Sequence, residues 1–183
     1  MQAPEIQNIA LSVLRQYNPD GLVPFPFATL VQGLGDVELL FLENMPEGVS
    51  GAIFRQQQDT NHFVITIDKR KPVTRQYFTT AHEFGHYFLH KVWLLASIAN
   101  SFIDYDEVLD VTGMLLRPDR MPTDPELLQK EREANTFAAE LIMPADKVRE
   151  YWNVSQDAKA CAEAFQVSQL AMTIRLQKLR LIS

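Results

Sequence analysis

One short pattern constrains this chain more than any other, namely His82-Glu83-Phe84-Gly85-His86. Pro72 suits the first turn of a helix, and the apolar spacing that follows predicts a helix running to about Lys91. The bulky apolar neighbours of the histidines, Phe84 and Phe88 among them, indicate that this helix is largely buried. Two imidazoles and a carboxylate on a buried helix destabilise a fold unless something satisfies them.

A metal ion is the partner that this spacing favours. Four residues advance a helix by about 6 Å and return it to nearly the same direction, so His82 and His86 leave one face. Two ring nitrogens placed in this way can bind one Zn²⁺ at about 2.0–2.1 Å. Glu83 can then act as general base towards an attacking water without binding the metal. Isolated patterns of this kind also occur on wet helix faces of proteins that bind no metal. The apolar neighbours favour the metal site.

A catalytic zinc site needs a third protein ligand and one open position. His90 is the nearest candidate, but it lies about 12 Å along the axis from His82, which is too far to share the ion. A second helix, predicted from about Pro125 to Ile142, carries Glu131 and Glu133 at opposite edges of its apolar face. Periodicity alone does not choose between these two carboxylates, and either could instead be a solvated surface charge.

The rest of the chain predicts helices around a small sheet, and hence an α+β protein with a small antiparallel sheet. Helical spacing of apolar residues occurs over residues 4–17 and near 28–34. β-branched and aromatic residues indicate three strands, the last two forming a hairpin: Val37–Leu42, Ser50–Gln56 and His62–Asp68. The strand at His62–Asp68 could be an edge strand that pairs with an extended substrate, or an interior strand.

The segment from Ser155 to Ile182 has the sequence pattern of a helix-turn-helix, with two helices joined at residues 166–168. Ser168 is placed to cap the second of these helices. Arg175, Lys178 and Arg180 give the second helix positive charge, and a DNA-binding regulator is therefore a rival function.

Composition limits the classes of function. A net charge of −6 and a pI near 5.2 argue against broad binding to nucleic acid or to an anionic membrane. The single cysteine, Cys161, excludes an intramolecular disulfide and is best interpreted as a buried structural thiol. The sequence shows neither a secretory signal nor an apolar run of membrane-spanning length. We therefore expect a cytoplasmic protein.

Two segments together resemble the ImmA/IrrE family of zinc metallopeptidases: Ala81-His82-Glu83-Phe84-Gly85-His86-Tyr87-Phe88-Leu89-His90 and the run from Glu131 to Pro144. The second resembles the family pattern E-x-x-A-N-x-F-A-x-x-L-L-M-P, with Ile142 where leucine is usual. The resemblance implies Glu131 as the third zinc ligand, with Glu133 as the fallback. It also implies that Asn135 orients a metal-bound histidine, as outer partners of metal ligands do.

The resemblance further implies a zincin-like metallopeptidase domain over residues 1–150, with helix-turn-helix-like helices over 151–183 packed on it. Family members typically cleave a helix-turn-helix transcriptional repressor and thereby induce mobile-element, stress or defence genes. The expected function is a regulatory zinc-dependent endopeptidase with a protein substrate. Nucleic acid is not expected as its main partner, and a membrane is not expected as a partner at all.

Several alternatives stay open. The chain could be a DNA-binding regulator with a non-catalytic zinc site, in which Gln169 and Thr173 reach base edges. Peptide deformylases share a similar helix, but their cysteine ligand precedes it, whereas Cys161 follows it. His62, Tyr87 and Tyr105 could each stabilise an oxyanion, and no spacing selects one of them. Residues 110–125 could be a lid over a cleft or a long connection.

Overall fold

The structure, a computed structural model, describes residues 1–56, 62–96, 101–105 and 124–183, with the backbone alone described at residue 105. In this part of the chain seven helices surround a four-stranded sheet, so the predicted α+β class is confirmed. The helices are α1 Ala3–Tyr17, α2 Phe27–Leu34, α3 Val73–Ala96, α4 Pro125–Ile142, α5 Ala145–Ser155, α6 Ala158–Ala164 and α7 Gln169–Lys178. The strands are β1 Val37–Leu42, β2 Val49–Arg55, β3 Phe63–Asp68 and β4 Ser101–Tyr105. Among the described helices, none has the length and apolar character needed to cross a bilayer.

The sheet has the strand order β1-β3-β2-β4. The predicted hairpin is present, because β2 and β3 pair antiparallel, and β4 pairs antiparallel with β2. The prediction of an antiparallel sheet was wrong for β1, which lies parallel to β3. The reason is that β1 and β2 run in opposite directions on the two sides of β3. A strand between them that is antiparallel to β2 is therefore parallel to β1.

The interior position of β3 excludes one of the two roles considered for this strand. Every residue of β3 is buried, and the strand is hydrogen-bonded to β1 on one side and to β2 on the other. A strand that is apolar on both faces is stable in the middle of a covered sheet. Its backbone is therefore not available to pair with an extended substrate, and the edge-strand interpretation of His62–Asp68 was wrong.

The helix that carries the histidines, α3, is enclosed by the sheet and by α4. All nine residues from Thr79 to Tyr87 are buried. At Gly85 the two helices approach so closely that a Cβ atom would lie 2.9 Å from both the Cα and the carbonyl oxygen of Ala134. Glycine is therefore required here by the proximity of the α4 backbone. The approach brings Glu131, one turn earlier on α4, beside the histidines.

An ion pair fixes the turn that leads from β3 into α3. The Asp68 carboxylate accepts hydrogen bonds from the backbone nitrogen of Arg70 at 2.9 Å and from its Nε and Nη2 atoms, both at 2.8 Å. These bonds hold the pKa of Asp68 below its usual range, against the burial that acts to raise it. The carboxylate therefore stabilises the fold at pH values above about 4, and this contribution is lost as the pH falls through the folded-state pKa.

We expect the substitution Asp68→Asn to destabilise the protein at pH 7 by about 1–3 kcal/mol, because hydrogen bonds to a charged partner are lost. The difference in unfolding free energy from the wild type should shrink as the pH falls below about 4, where the wild-type carboxylate also loses its charge. Urea denaturation between pH 3 and pH 7 measures both quantities. A difference that stays constant over this range would contradict the assignment.

The C-terminal helices are attached to α4 by Arg175 of α7. This side chain is 5% exposed, and its Nη1 and Nη2 atoms lie 2.7 and 2.6 Å from the two carboxylate oxygens of Glu140. Its Nε also donates to the carbonyl of Met143 at 2.9 Å. Arg175 is therefore not part of an exposed basic face, which corrects its inclusion among charges available to DNA.

The core continues into these helices. Buried Cys161, Phe165 and Leu176 belong to the same hydrophobic cluster as the buried residues of α3 and α4. Ser168 caps α7 as predicted, since its hydroxyl accepts from the backbone nitrogen of Ala171. Residue 150 lies within α5. The division of the chain into 1–150 and 151–183 stays a prediction.

The contacts of Arg175 predict a large effect of its removal. Arg175→Ala should destabilise the protein by about 3–5 kcal/mol, because it leaves the carboxylate of Glu140 without its buried partner. Lys178→Ala removes an exposed charge from the same helix and should change stability by less than about 0.5 kcal/mol. Thermal and urea unfolding compare the two variants, and equal effects would show that the buried ion pair is unimportant.

Candidate metal centre and active site

Three side chains from two helices meet at one point. The Nε2 atoms of His82 and His86 on α3 are 3.0 Å apart. From α4, the Glu131 Oε2 atom lies 3.1 Å from Nε2 of His82, and its Oε1 atom lies 3.5 Å from Nε2 of His86. The structure thus brings together the two histidines that the spacing selected and the carboxylate that the family resemblance selected.

The donor set and its spacing fit a zinc ion. Tetrahedral Zn²⁺ with bonds of about 2.0–2.1 Å places its ligand atoms about 3.3 Å from one another. The two Nε2 atoms are 3.0 Å apart, and the Glu131 carboxylate approaches them through its two oxygens at 3.1 and 3.5 Å, so these separations lie around this value. Two imidazole nitrogens and one carboxylate oxygen are also the ligand types of zinc sites that keep a fourth position open.

Asn135 lies where it can orient the first histidine. Its side-chain oxygen is 2.9 Å from Nδ1 of His82. Because an amide oxygen only accepts, this contact requires a hydrogen on Nδ1, which leaves the Nε2 lone pair directed at the cluster. Asn135 and Glu131 are four residues apart and therefore lie on one face of α4.

The charges around the cluster favour a cation at its centre. Burial opposes the charged form of His82, but the hydrogen bond to Glu131 and the charges of Asp104, Glu131 and Glu83 outweigh it and raise the pKa of His82 to about 9. Burial lowers the pKa of His86 to about 4. The pKa of Glu131 lies well below its usual range, because the two histidines outweigh the burial of the carboxylate. The cluster therefore stabilises a positive charge beside Glu131. A proton or a metal cation can supply this charge.

In the described part of the chain, Glu83 is the one carboxyl group at this centre without a hydrogen-bond partner. Its side chain is fully buried, and neither oxygen has a hydrogen-bond partner among the described residues. Burial raises the pKa of Glu83 well above its usual range. A buried carboxyl that is left unsatisfied is costly, and such groups concentrate at functional sites.

Gly51 on β2 keeps room beside Glu83. A Cβ atom at this position would lie 3.2 Å from Oε1 of Glu83 and 2.5 Å from Cγ2 of Thr79. The sequence analysis missed this residue, although a glycine inside a strand pattern is a signal for a close approach.

The strand β4 forms a wall of the centre that the sequence analysis also missed. The ring of Phe102 stacks on His86 with centroids 3.9 Å apart and planes 15° apart. Asp104 accepts hydrogen bonds from Arg75 at 2.8 Å and from Thr79 at 3.0 Å, which ties β4 to α3. The strand is only five residues long, and its partner β2 lies far away in the sequence.

Glu133 and His90 lie next to the centre, and neither joins the three-residue cluster. The Oε2 atom of Glu133 is 3.0 Å from Nε2 of His90, and Nδ1 of His90 is 3.1 Å from Nδ1 of His86. Among the described residues, His90 is thus outside the cluster of His82, His86 and Glu131. Its contact with the back of His86 was missed, although a separation of four residues on one helix allows it.

The residues considered for oxyanion stabilisation lie elsewhere or outside the described part. The Tyr87 hydroxyl donates to Asp36 at 2.7 Å and accepts from Lys91 at 2.9 Å, on another face of α3. His62 precedes β3, five residues before Ile67, which pairs with Gly51. This separation is about 17 Å along a strand. The side chain of Tyr105 and most of the segment 110–125 lie outside the described residues.

Comparison with known families identifies the chain at the level of a family. A family model for the IrrE N-terminal-like domain (Peptidase_M78) matches residues 36–106 and 115–177. The match covers more than half of the chain. The chain belongs to this family. Membership confirms the resemblance to ImmA/IrrE proteins and shows a domain of a peptidase family.

A solved structure has a similar fold. A Mycobacterium tuberculosis transcriptional regulator superposes with a TM-score of 0.59 at 15% sequence identity, over 93% of this chain and 46% of the regulator. The chain therefore spans less than half the length of that protein. At this identity the likeness shows the fold alone. No curated protein matches the chain.

The close approach at Gly85 predicts that Gly85→Ala disturbs both stability and the metal centre. The added methyl group meets the backbone of Ala134, which moves only if α4 moves, so we expect a loss of about 1–3 kcal/mol. The displacement of α4 would also carry Glu131 away from the histidines. Urea unfolding measures the first effect and zinc content per chain the second.

The control is Val92→Ala, on the same helix at a side chain that is 81% exposed. This variant should lie within about 0.5 kcal/mol of the wild type. If Gly85→Ala were equally neutral, the packing of α3 on α4 would not depend on the missing side chain.

Proposed function

We propose that this member of the family is a regulatory zinc-dependent endopeptidase with a zincin-like active site. His82, His86 and Glu131 hold the zinc, and Glu83 is the general base. The observation that carries the proposal is the convergence of two imidazole nitrogens and one carboxylate group at separations of 3.0–3.5 Å, next to a buried carboxyl group that has no partner among the described residues.

Glu83 and Asn135 have different roles in the proposed hydrolysis of a peptide bond. When bound, zinc would polarise the scissile carbonyl and lower the pKa of water. Glu83 takes a proton from the attacking water and returns it to the leaving amine. Both of its oxygens are free of competing hydrogen bonds in the described structure, so neither role requires breaking one. Asn135 holds the Nδ1 hydrogen of His82 and keeps the opposite nitrogen directed at the metal.

The proposed substrate is a helix-turn-helix transcriptional repressor, whose cleavage induces mobile-element, stress or defence genes. This part rests on the resemblance to the ImmA/IrrE family and on a regulatory name borne by a protein of similar fold. A substrate that binds chromosomal DNA would place the enzyme in the cytoplasm.

DNA binding by the chain itself is disfavoured as the main activity. Of the three basic residues counted on the last helix, Arg175 is buried in an ion pair with Glu140. Arg180, which was predicted to lie on this helix, follows its end at Lys178, so Lys178 is the one exposed basic residue of α7, on an acidic chain. We propose that residues 151–183 are a helical extension that packs on the peptidase domain of residues 1–150, and that their helix-turn-helix rhythm serves packing.

Substitution of the general base separates metal binding from chemistry. Glu83→Gln preserves the size of the side chain and removes its ability to take a proton. We expect wild type and variant to bind one zinc each, while the variant cleaves about 10²–10⁴-fold more slowly. The measurements are zinc content of the purified chain and cleavage of a helix-turn-helix repressor encoded beside its gene.

Glu126→Gln is the matched control, since it makes the same change on an exposed first-turn residue of α4 and should retain full activity. Zinc-free wild-type protein, or equal cleavage by Glu83→Gln, would refute the enzyme assignment. Zinc-loaded wild type that cuts a peptide library but not the repressor would refute the substrate alone.

A further inference from the structure

A chain of three buried side chains leads away from the metal centre. Nδ1 of His86 contacts Nδ1 of His90 at 3.1 Å, and Nε2 of His90 contacts Oε2 of Glu133 at 3.0 Å. His90 and Glu133 are each 5% exposed. The second oxygen of Glu133 accepts from Gln129 at 3.0 Å and from the amino group of Met1. A carboxylate held in this way presents an acceptor, not a donor, to His90.

The order of donors and acceptors along this chain has one self-consistent direction. A carboxylate accepts, so Nε2 of His90 carries a hydrogen, and its Nδ1 is the acceptor of a neutral ring. The Nδ1–Nδ1 contact then requires the hydrogen to be on His86. That tautomer leaves the Nε2 lone pair of His86 directed at His82 and Glu131. The reverse direction would set the bare Nε2 lone pair of a neutral His90 against the carboxylate.

We propose that His90 and Glu133 are positioning residues that fix the tautomer and the ring orientation of His86 for metal binding. This inference rests on the proposed zinc site. Phe102 stacks on the His86 ring and sets its plane, but a half turn about the Cβ–Cγ bond keeps that plane and exchanges Nδ1 with Cδ2 and Nε2 with Cε1. The hydrogen bond to His90 requires Nδ1, and not Cδ2, on the side of His90, and so selects one of the two orientations.

Each histidine of the centre thereby has a different orienting partner. His82 is held directly by Asn135, whereas His86 is held through His90 by Glu133. Asn135 and Glu133 both lie on α4, the helix that also provides Glu131. Outer partners of metal ligands typically change metal affinity by about 10–100-fold when they are removed.

The test compares zinc affinity in three variants, measured by competition with a chromophoric chelator. His90→Leu fills the site with an apolar side chain and should weaken zinc binding by about 10–100-fold. His90→Gln should retain most of the affinity, because its amide oxygen can accept from His86 while its amide nitrogen donates to Glu133. Thr80→Val removes a buried hydroxyl that bonds to the carbonyl of Gln76 on the same helix, and it should bind zinc as the wild type does.

Equal affinities of wild type and His90→Leu would overturn the proposal, and so would equal losses in His90→Leu and Thr80→Val. A loss in His90→Gln as large as that in His90→Leu would also overturn the proposal, because the hydrogen bonds that glutamine can make would then not be what supports zinc binding. Wild-type protein that binds no zinc would overturn both this inference and the proposed function. Loss of affinity in His90→Leu together with a wild type that binds zinc but cuts no protein would support the inference and reject the peptidase.

A second measurement needs no variant and covers the case in which His90→Leu does not fold. Nitrogen-15 NMR of the zinc-loaded wild type distinguishes the two tautomers of each imidazole. We expect the hydrogen on Nδ1 in His86 and on Nε2 in His90. A zinc-loaded protein in which His90 carries its hydrogen on Nδ1 alone would overturn the proposal irrespective of any affinity.

Discussion

The contact between α3 and α4 at Gly85 and Ala134 is the constraint on which the metal centre depends. The histidines come from one helix and Glu131 from the other, so the separation of the two backbones decides whether three ligand atoms can meet. A glycine on α3 facing an alanine on α4 allows an approach that a Cβ would close at 2.9 Å. The two residues that make this approach possible are neither ligands nor acids. They set the distance between α3 and α4, and therefore the distance between the histidines and Glu131.

The same interface contains an unusual amount of buried polar chemistry. Buried polar groups are retained when every member of a network is satisfied, and they weaken a fold when one is not. His82, His86 and His90 each have a carboxylate or amide partner from α4, directly or through one further ring. Glu83 is the exception among the described residues. This one unsatisfied carboxyl group, inside an otherwise satisfied network, destabilises the fold, and the proposed role of Glu83 as a general base accounts for its retention.

Sequence reasoning predicted the local elements well and the pairing between them less well. The helices α1, α3 and α4 and the strands β1 to β3 follow from apolar spacing within a few residues, because periodicity is a property of contiguous sequence. The parallel pairing of β1 with β3 depends on which strand inserts between which, and no periodicity records that choice. The strand β4 is five residues long, and its partner β2 is distant in sequence. The need for glycine at position 51 arises only from the packing of β2 against α3, which the sequence pattern does not contain.

The choice between Glu131 and Glu133 shows where the limit lies. Both carboxylates flank the apolar face of α4, so a helical projection places each at an equivalent edge. What separates them is the position of α4 on α3, which sets Glu131 opposite His82 and His86 and sets Glu133 opposite His90. The family pattern selected Glu131 without that information, because the pattern already contains the constraint of the folded interface. The two carboxylates are not interchangeable, because Glu131 contacts His82 and His86 whereas Glu133 contacts His90. An exchange of these contacts would require α4 to rotate about its own axis.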